Sequence, residues 1–237
     1  MIKAGLKIVW ALAILLAGGS MAAQSRWNHL DREKAVSMDS LTKKGFTLIL
    51  LNNSTTFDSA VGKRLVEVFF KVYPKEARIY NRETLRKVFF IIDTGYKGVA
   101  AASAGIVRFN PKWFESHPKD VDVVTHEVMH IVQNYGDGAG PGWLTEGIAD
   151  YVRHTLGVDN AGAGWSLPAF KATQSYTNAY RVTARFLVWI EKHHRKGFVK
   201  KVDAALRLHT YTPKIWAQLT GKTVDELWSE YALNPAI

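Results

Sequence analysis

The chain contains no cysteine among its 237 residues. That absence excludes disulfide staples, a thiol nucleophile and thiolate ligation of any metal, so stability has to come from a packed core. Acidic residues are also scarce, 21 against 31 Lys and Arg, giving a formal charge of +10. Such an excess favours anionic surroundings through a salt-sensitive attraction. No internal repeat, low-complexity tract or long polar linker interrupts the sequence. Long apolar runs are missing too: the longest, Ile8 to Ala17, falls short of the ~20 residues that a spanning helix needs.

That short run does have an assignment. Lys3 and Lys7 precede it, Gly18 and Gly19 follow, and Ser20-Met21-Ala22 offers a cleavage site. Residues 1–22 therefore read as a secretory signal peptide, with a signal anchor left in place as the alternative, and 23–237 as one domain that is not an integral membrane protein once the leader is removed. The expected location is secreted or periplasmic. Two of the ten surplus charges sit on Lys3 and Lys7, so the mature chain carries +8. The densest basic run is Lys192-His193-His194-Arg195-Lys196, followed by Lys200-Lys201. It reads as a solvated helix end. An anionic cell-surface polymer is a candidate partner, whereas a specific nucleic acid is not, because no aromatic or glycine-rich module accompanies the charge.

The chemistry is concentrated in His126-Glu127-Val128-Met129-His130 and in Thr145-Glu146-Gly147-Ile148-Ala149-Asp150-Tyr151. On a helix, residues four apart lie about 6 Å apart along the axis and on the same face, so His126 and His130 present two imidazoles to one point. A bare HExxH is only a hypothesis, and an ordinary amphipathic helix with two histidines satisfies it equally well. Catalytic zinc takes three protein ligands and keeps a fourth position for water, so a third donor is required. Glu146 supplies it. Asp150, one turn further, is placed to hold a ligand histidine by its other ring nitrogen.

The element pattern is α+β. Phe46–Leu51 and Val88–Ile92 read as strands, Val99–Phe109 as one or two more, and Asp58 to about Ala77 as a helix interrupted near its end by Pro74. A helix carrying HExxH begins at Asp120 or Asp122. Four glycines and Pro141 make 136–142 a loop, and a second helix runs from about Trp143 to Leu156. Helices are expected near 176–193, 199–208, 214–219 and 224–232, the last with Thr223-Val224-Asp225-Glu226 as a capping box. The layout is an N-terminal mixed sheet with a helix, a central HExxH helix and a C-terminal helical part.

The run Val124 to Gln133, then Gly140 to Arg153 with its Glu-Gly-Ile-Ala-Asp-Tyr block, resembles the basic secretory protein family of plants and bacteria. The likeness extends to Tyr180–Leu187 and Thr220–Trp228 and covers most of the chain from about Phe46 to Tyr231. It implies a zincin-like metallopeptidase fold, zinc on His126 and His130, Glu127 as the base, and Glu146 as the third ligand. Glutamate-zincins place the glutamate of E-x-x-x-D on the metal and the aspartate behind a histidine, the spacing of Glu146 and Asp150. The exchange of those two roles stays open at this point, since either oxygen donor suits the ion. Met129 departs from the small polar residue of plant members, at a position that points away from the ligand face.

Zinc in such a site activates a water for attack on a polypeptide substrate, and Glu127 is positioned in sequence to take its proton. For the oxyanion the candidate donor is Tyr180, with Tyr176 next. Gln133 reads as a polar residue at a helix end and His154 as a surface histidine. His29, His117, His193, His194 and His209 lack spaced partners. Trp143, Trp165, Trp189, Trp216 and Trp228 read as core and interface fillers. Three functions remain: an exported zinc endopeptidase, a non-catalytic cationic binding protein with structural zinc, and a zinc amidase acting on cell-wall peptide. An intact Glu127 argues against the second, because a structural site has no use for a carboxylate aimed at an open coordination position.

Overall fold

The computed structural model describes Leu30 and residues 32–237; the expected leader and its cleavage site lie outside the described residues. Contacts divide the chain at Ala35/Val36. Of the first unit the described part contains only an exposed 3-10 turn, Arg32–Lys34.

From Val36 onward the protein is a five-stranded mixed sheet followed by helices. The strands are β1 (Ser37–Lys43), β2 (Phe46–Asn52), β3 (Lys87–Ile92), β4 (Ala100–Ser103) and β5 (Ile106–Phe109), in the order β1-β2-β3-β5-β4. Two hairpins close through two-residue turns with both central residues at positive φ, Lys44-Gly45 and Ala104-Gly105, as a mirror-image hairpin turn demands. β2, β3 and β5 run parallel. The crossover between β2 and β3 is α1 (Ser59–Ile79), started by Asp58, whose carboxylate accepts from Ala60 N at 2.8 Å.

Pro74 does not interrupt α1, contrary to the sequence expectation. A proline removes the amide that would bond the carbonyl four residues back, here that of Phe70. Lys44 Nζ, reaching over from the first hairpin, donates to Phe70 O at 3.3 Å and fills the gap. The strand β1 was not expected either. Its seven residues are all exposed, so no face of it carries the alternation from which a strand is read.

One face of the sheet is covered by an aromatic core in which Phe69 stacks on Tyr73 and meets Phe90 edge-on, with Phe90 continuing to Phe109. α2 (Pro111–Ser116) adds Phe114. α3 (Val123–Gln133) bears the HExxH sequence and packs against α1, β4 and α4 (Gly142–Leu156). All of α3 except His130 is buried, so its exposure is confined to the side that carries the histidines. It ends at Asn134 in the left-handed conformation, φ 42°. The remaining helices are α5 (Tyr180–His193), α6 (Phe198–Arg207), α7 (Lys214–Thr220) and α8 (Val224–Leu233). Thr223 and Glu226 form the expected capping box on α8. The helix expected from Tyr176 is broken: 176–178 is a 3-10 turn, and Ala179 and Tyr180 take positive φ where α5 begins. Among the described residues no helix is long and apolar enough to cross a membrane.

Candidate metal centre

The two helices that carry the motifs lie side by side, and their acceptors converge. His126 Nε2 and His130 Nε2 are 3.1 Å apart; Glu146 Oε2 stands 3.2 Å from the first and 3.5 Å from the second. Three atoms, each ~2.0–2.1 Å from one ion at tetrahedral angles, stand roughly 3.3 Å from one another, so the triangle has the size that zinc requires. Among the described residues, His126, His130 and Glu146 are the group of metal-ligating side chains brought together in this way.

The hydrogen bonds behind the histidines fix what faces the triangle. Asp150 Oδ1 lies 2.7 Å from His126 Nδ1, and Gln133 Oε1 lies 2.7 Å from His130 Nδ1. Gln133 is itself oriented by donating Nε2 to Thr145 O at 2.9 Å, which turns its oxygen toward the ring. Both partners of the Nδ1 atoms are acceptors, so both rings carry their proton on Nδ1 and direct a lone pair from Nε2 into the triangle. Two lone pairs and a carboxylate oxygen at these distances repel unless a cation sits between them. Without an ion a proton takes its place. Burial presses the His126 pKa down, but hydrogen bonds to Asp150 and Glu146 prevail and hold it at about 10. The Glu146 carboxyl, despite burial, is pulled well below the usual range by His126 and His130.

Glu127 is 6% exposed and opens on the same cleft. Burial raises its pKa, against the pull of His126 and His130. Tyr180 stands 54% exposed at the rim, its ring nearly parallel to that of His126 at 6.1 Å. Its backbone has φ 48°, and Ala179 before it has φ 62° and ψ −172°, a conformation open essentially only to glycine. Strain is thus held where a side chain is delivered to the site. α5 can come this close because residue 147 is glycine: a Cβ there would stand 2.3 Å from Thr183 Cγ2. Tyr176 takes no part, since its hydroxyl donates to Asp225 Oδ1 at 2.7 Å and its ring packs on Trp143 and Trp228. Tyr96 does line the cleft, with its hydroxyl donating to Ala100 O.

Gln133 is not merely a helix-end polar group, because it orients His130. Met129 is wholly buried in the core, away from the cleft. His154 is exposed, as expected of a surface histidine. Trp165 is half-buried and lines the cleft, and His117 lines it too, stacked on Trp113 at 3.8 Å. In the basic run Lys192, Lys196, Lys200 and Lys201 are exposed, whereas Arg195 turns inward to donate to Leu219 O.

The profile of the family described as a peptidase of plants and bacteria matches residues 34–231. The chain belongs to that family. No curated protein matches it. Among solved structures, Legionella pneumophila aminopeptidase A in complex with aspartic acid superposes with a TM-score of 0.53 at 14% identity, over 81% of this chain and 27% of that one. A two-domain M1 zinc metallopeptidase mutant bound to L-tryptophan gives 0.44 at 13% identity, over 85% and 48%. The M1 zinc metallopeptidase of Deinococcus radiodurans gives 0.39 at 12%, over 86% and 48%. This peptidase-family chain therefore spans between about a quarter and half of the length of these neighbours, and it shares its zincin-like fold with the Legionella aminopeptidase.

Proposed function

We propose that this peptidase-family protein is an exported zinc metallopeptidase that hydrolyses peptide bonds with Glu127 as general base. The observation that carries the reading is the convergence of the two Nε2 atoms and a carboxylate oxygen on one point. In this reading His126, His130 and Glu146 hold the metal, and Asp150 stands behind His126. Zinc so held supplies Lewis acidity to a substrate carbonyl and makes a water acidic near neutral pH.

The chain's own residues supply the rest. Glu127, with a pKa raised by burial, is basic enough to take the proton of the attacking water and acidic enough to return it to the leaving amine. Asp150 and Gln133 hold the histidine tautomers, so the rings need no rearrangement during turnover. Tyr180, at the rim above His126, donates its hydroxyl to the developing oxyanion. Support for export comes from the leader-like residues 1–22.

The test is cleavage of an unbiased peptide library, beside purified cell wall, with and without zinc. Glu127→Gln should keep fold and zinc yet lose about 10²–10⁴-fold in rate. Equal rates for the variant and the wild type overturn the mechanism. Zinc-dependent release of cell-wall peptide alone shows an amidase instead, and polymer binding without any amide cleavage shows a binding protein.

A further inference from the structure

The cleft at the metal centre, of 880 Å³, extends beyond the candidate ligands along the N-terminal end of α3. There it is bounded by Val123, one turn before Glu127, by Asp120, and by two indoles, Trp113 and Trp165. A single ion pair fixes both. Asp120 accepts from Trp113 Nε1 at 2.9 Å through one oxygen and from Arg153 Nη2 through the other. The Arg153 guanidinium lies over the Trp165 ring at 4.6 Å and donates Nε to Asn160 Oδ1. Arg153 sits on α4 one turn after Asp150, so the bracket is built on the same helix as the metal-site carboxylates.

The segment that brings Trp165 is pinned as well. Asp122, wholly buried at the head of α3, accepts from the amides of Val158 and Asp159 and from Thr125 Oγ1. Each indole has one face already covered, Trp113 by His117 and Trp165 by Arg153, and offers what remains to the cleft. The charges of Asp120 and Arg153 are spent on each other. A cation here would meet the Arg153 guanidinium and an anion would meet Asp120, each without an unpaired counter-charge. An apolar floor, two held indoles and a mutually neutralised Asp120–Arg153 pair suit a flat uncharged ring, which gains edge and face contacts as well as burial, while the exposed Arg181 of the lining donates to Ser166 O.

We propose that this end of the cleft is a specificity subsite for a large uncharged aromatic side chain next to the scissile bond, with Trp113 and Trp165 as its walls. The assignment rests on the peptidase reading above, and the test separates the two. Zinc-loaded protein is titrated calorimetrically with hydroxamates bearing a benzyl group on one or the other side of the zinc-binding group, and with their unsubstituted parents. One benzyl compound should bind at least about tenfold tighter than its parent, the scale on which an apolar pocket discriminates. Trp165→Ala should remove that preference while leaving the parent's affinity unchanged. Trp113→Leu, which keeps bulk and loses the ring, should weaken it and guards against a misfolded first variant. Equal binding of both benzyl compounds and their parents, or a preference that survives both substitutions, overturns the subsite. Library cleavage then gives the second axis. Cleavage with no aromatic preference leaves the peptidase and removes the subsite; a Trp165-dependent hydroxamate preference with no cleavage of any peptide leaves the subsite and removes the peptidase.

Discussion

Gln133 Oε1 lies 2.7 Å from His130 Nδ1, matching on the second histidine the bond that Asp150 makes to the first. The two rings are thus held by different acceptors, one charged and one neutral. A carboxylate raises the basicity of the opposite nitrogen more than an amide oxygen does, so His126 should be the stronger donor of the pair. Removing either acceptor typically costs ~10–100-fold in metal affinity or activity. Gln133→Ala is expected at the lower end of that range and Asp150→Ala at the upper end. Competition titrations with a zinc chelator read both values, and equal affinities for Gln133→Ala and wild type would sink the role given to Gln133.

Glu146→Ala should be more severe than either, because it deletes one corner of the triangle rather than a prop behind it. Stoichiometric zinc retained by Glu146→Ala but lost by Asp150→Ala would require the two carboxylates to exchange roles. The exchange could not be settled from the spacing, since both residues sit on one face of α4. What decides the geometry is the lateral offset of α3 against α4, set by packing that no local pattern encodes.

Much of the site was legible for that reason: residues within one helix keep a fixed relation, so His126 with His130, and Glu146 with Asp150, could be paired from spacing. Contacts between distant segments were not. Asp120, Asp122 and Arg153 join the start of α3 to the loop after α4, and nothing in a two-residue acidic spacing before a helix announces its partner 33 residues on. Trp165 was read as filler because half-burial beside a cleft and full burial in a core leave the same residue type. The sheet was legible where a face is buried, as in β2 and β3, and missed in β1, where none is.

Metal affinity should rise with pH. In the metal-free protein His126 holds a proton up to about pH 10, above its unfolded value of 6.5, and zinc must displace it. One proton released per ion gives roughly tenfold tighter binding per pH unit between about pH 7 and 9. The same raised pKa stabilises the metal-free fold, fully below pH 6.5 and progressively less as pH rises toward 10. Apo melting temperature should therefore fall across that window while zinc affinity climbs. A pH-independent zinc dissociation constant would contradict the arrangement.

Ala179→Gly tests the strained turn. Its φ of 62° with ψ −172° costs a non-glycine residue about 1–3 kcal/mol, and glycine would relieve that cost while adding about 0.4–1 kcal/mol of unfolded-state entropy. The balance favours the variant by about 1 kcal/mol, or roughly 2–4 °C in melting temperature for a chain of this length. Greater freedom at 179 also lets Tyr180 leave its place over His126, so turnover should fall while stability rises. Tyr180→Phe isolates the hydroxyl, because phenylalanine keeps the ring over the imidazole and the backbone as they are. If the hydroxyl donates to the oxyanion, kcat should drop by about 10²–10³-fold with KM and zinc content little changed. A Tyr180→Phe protein as fast as the wild type would leave the ring as a simple cover for His126 and move the search for the donor to Tyr96, the other phenol on the cleft.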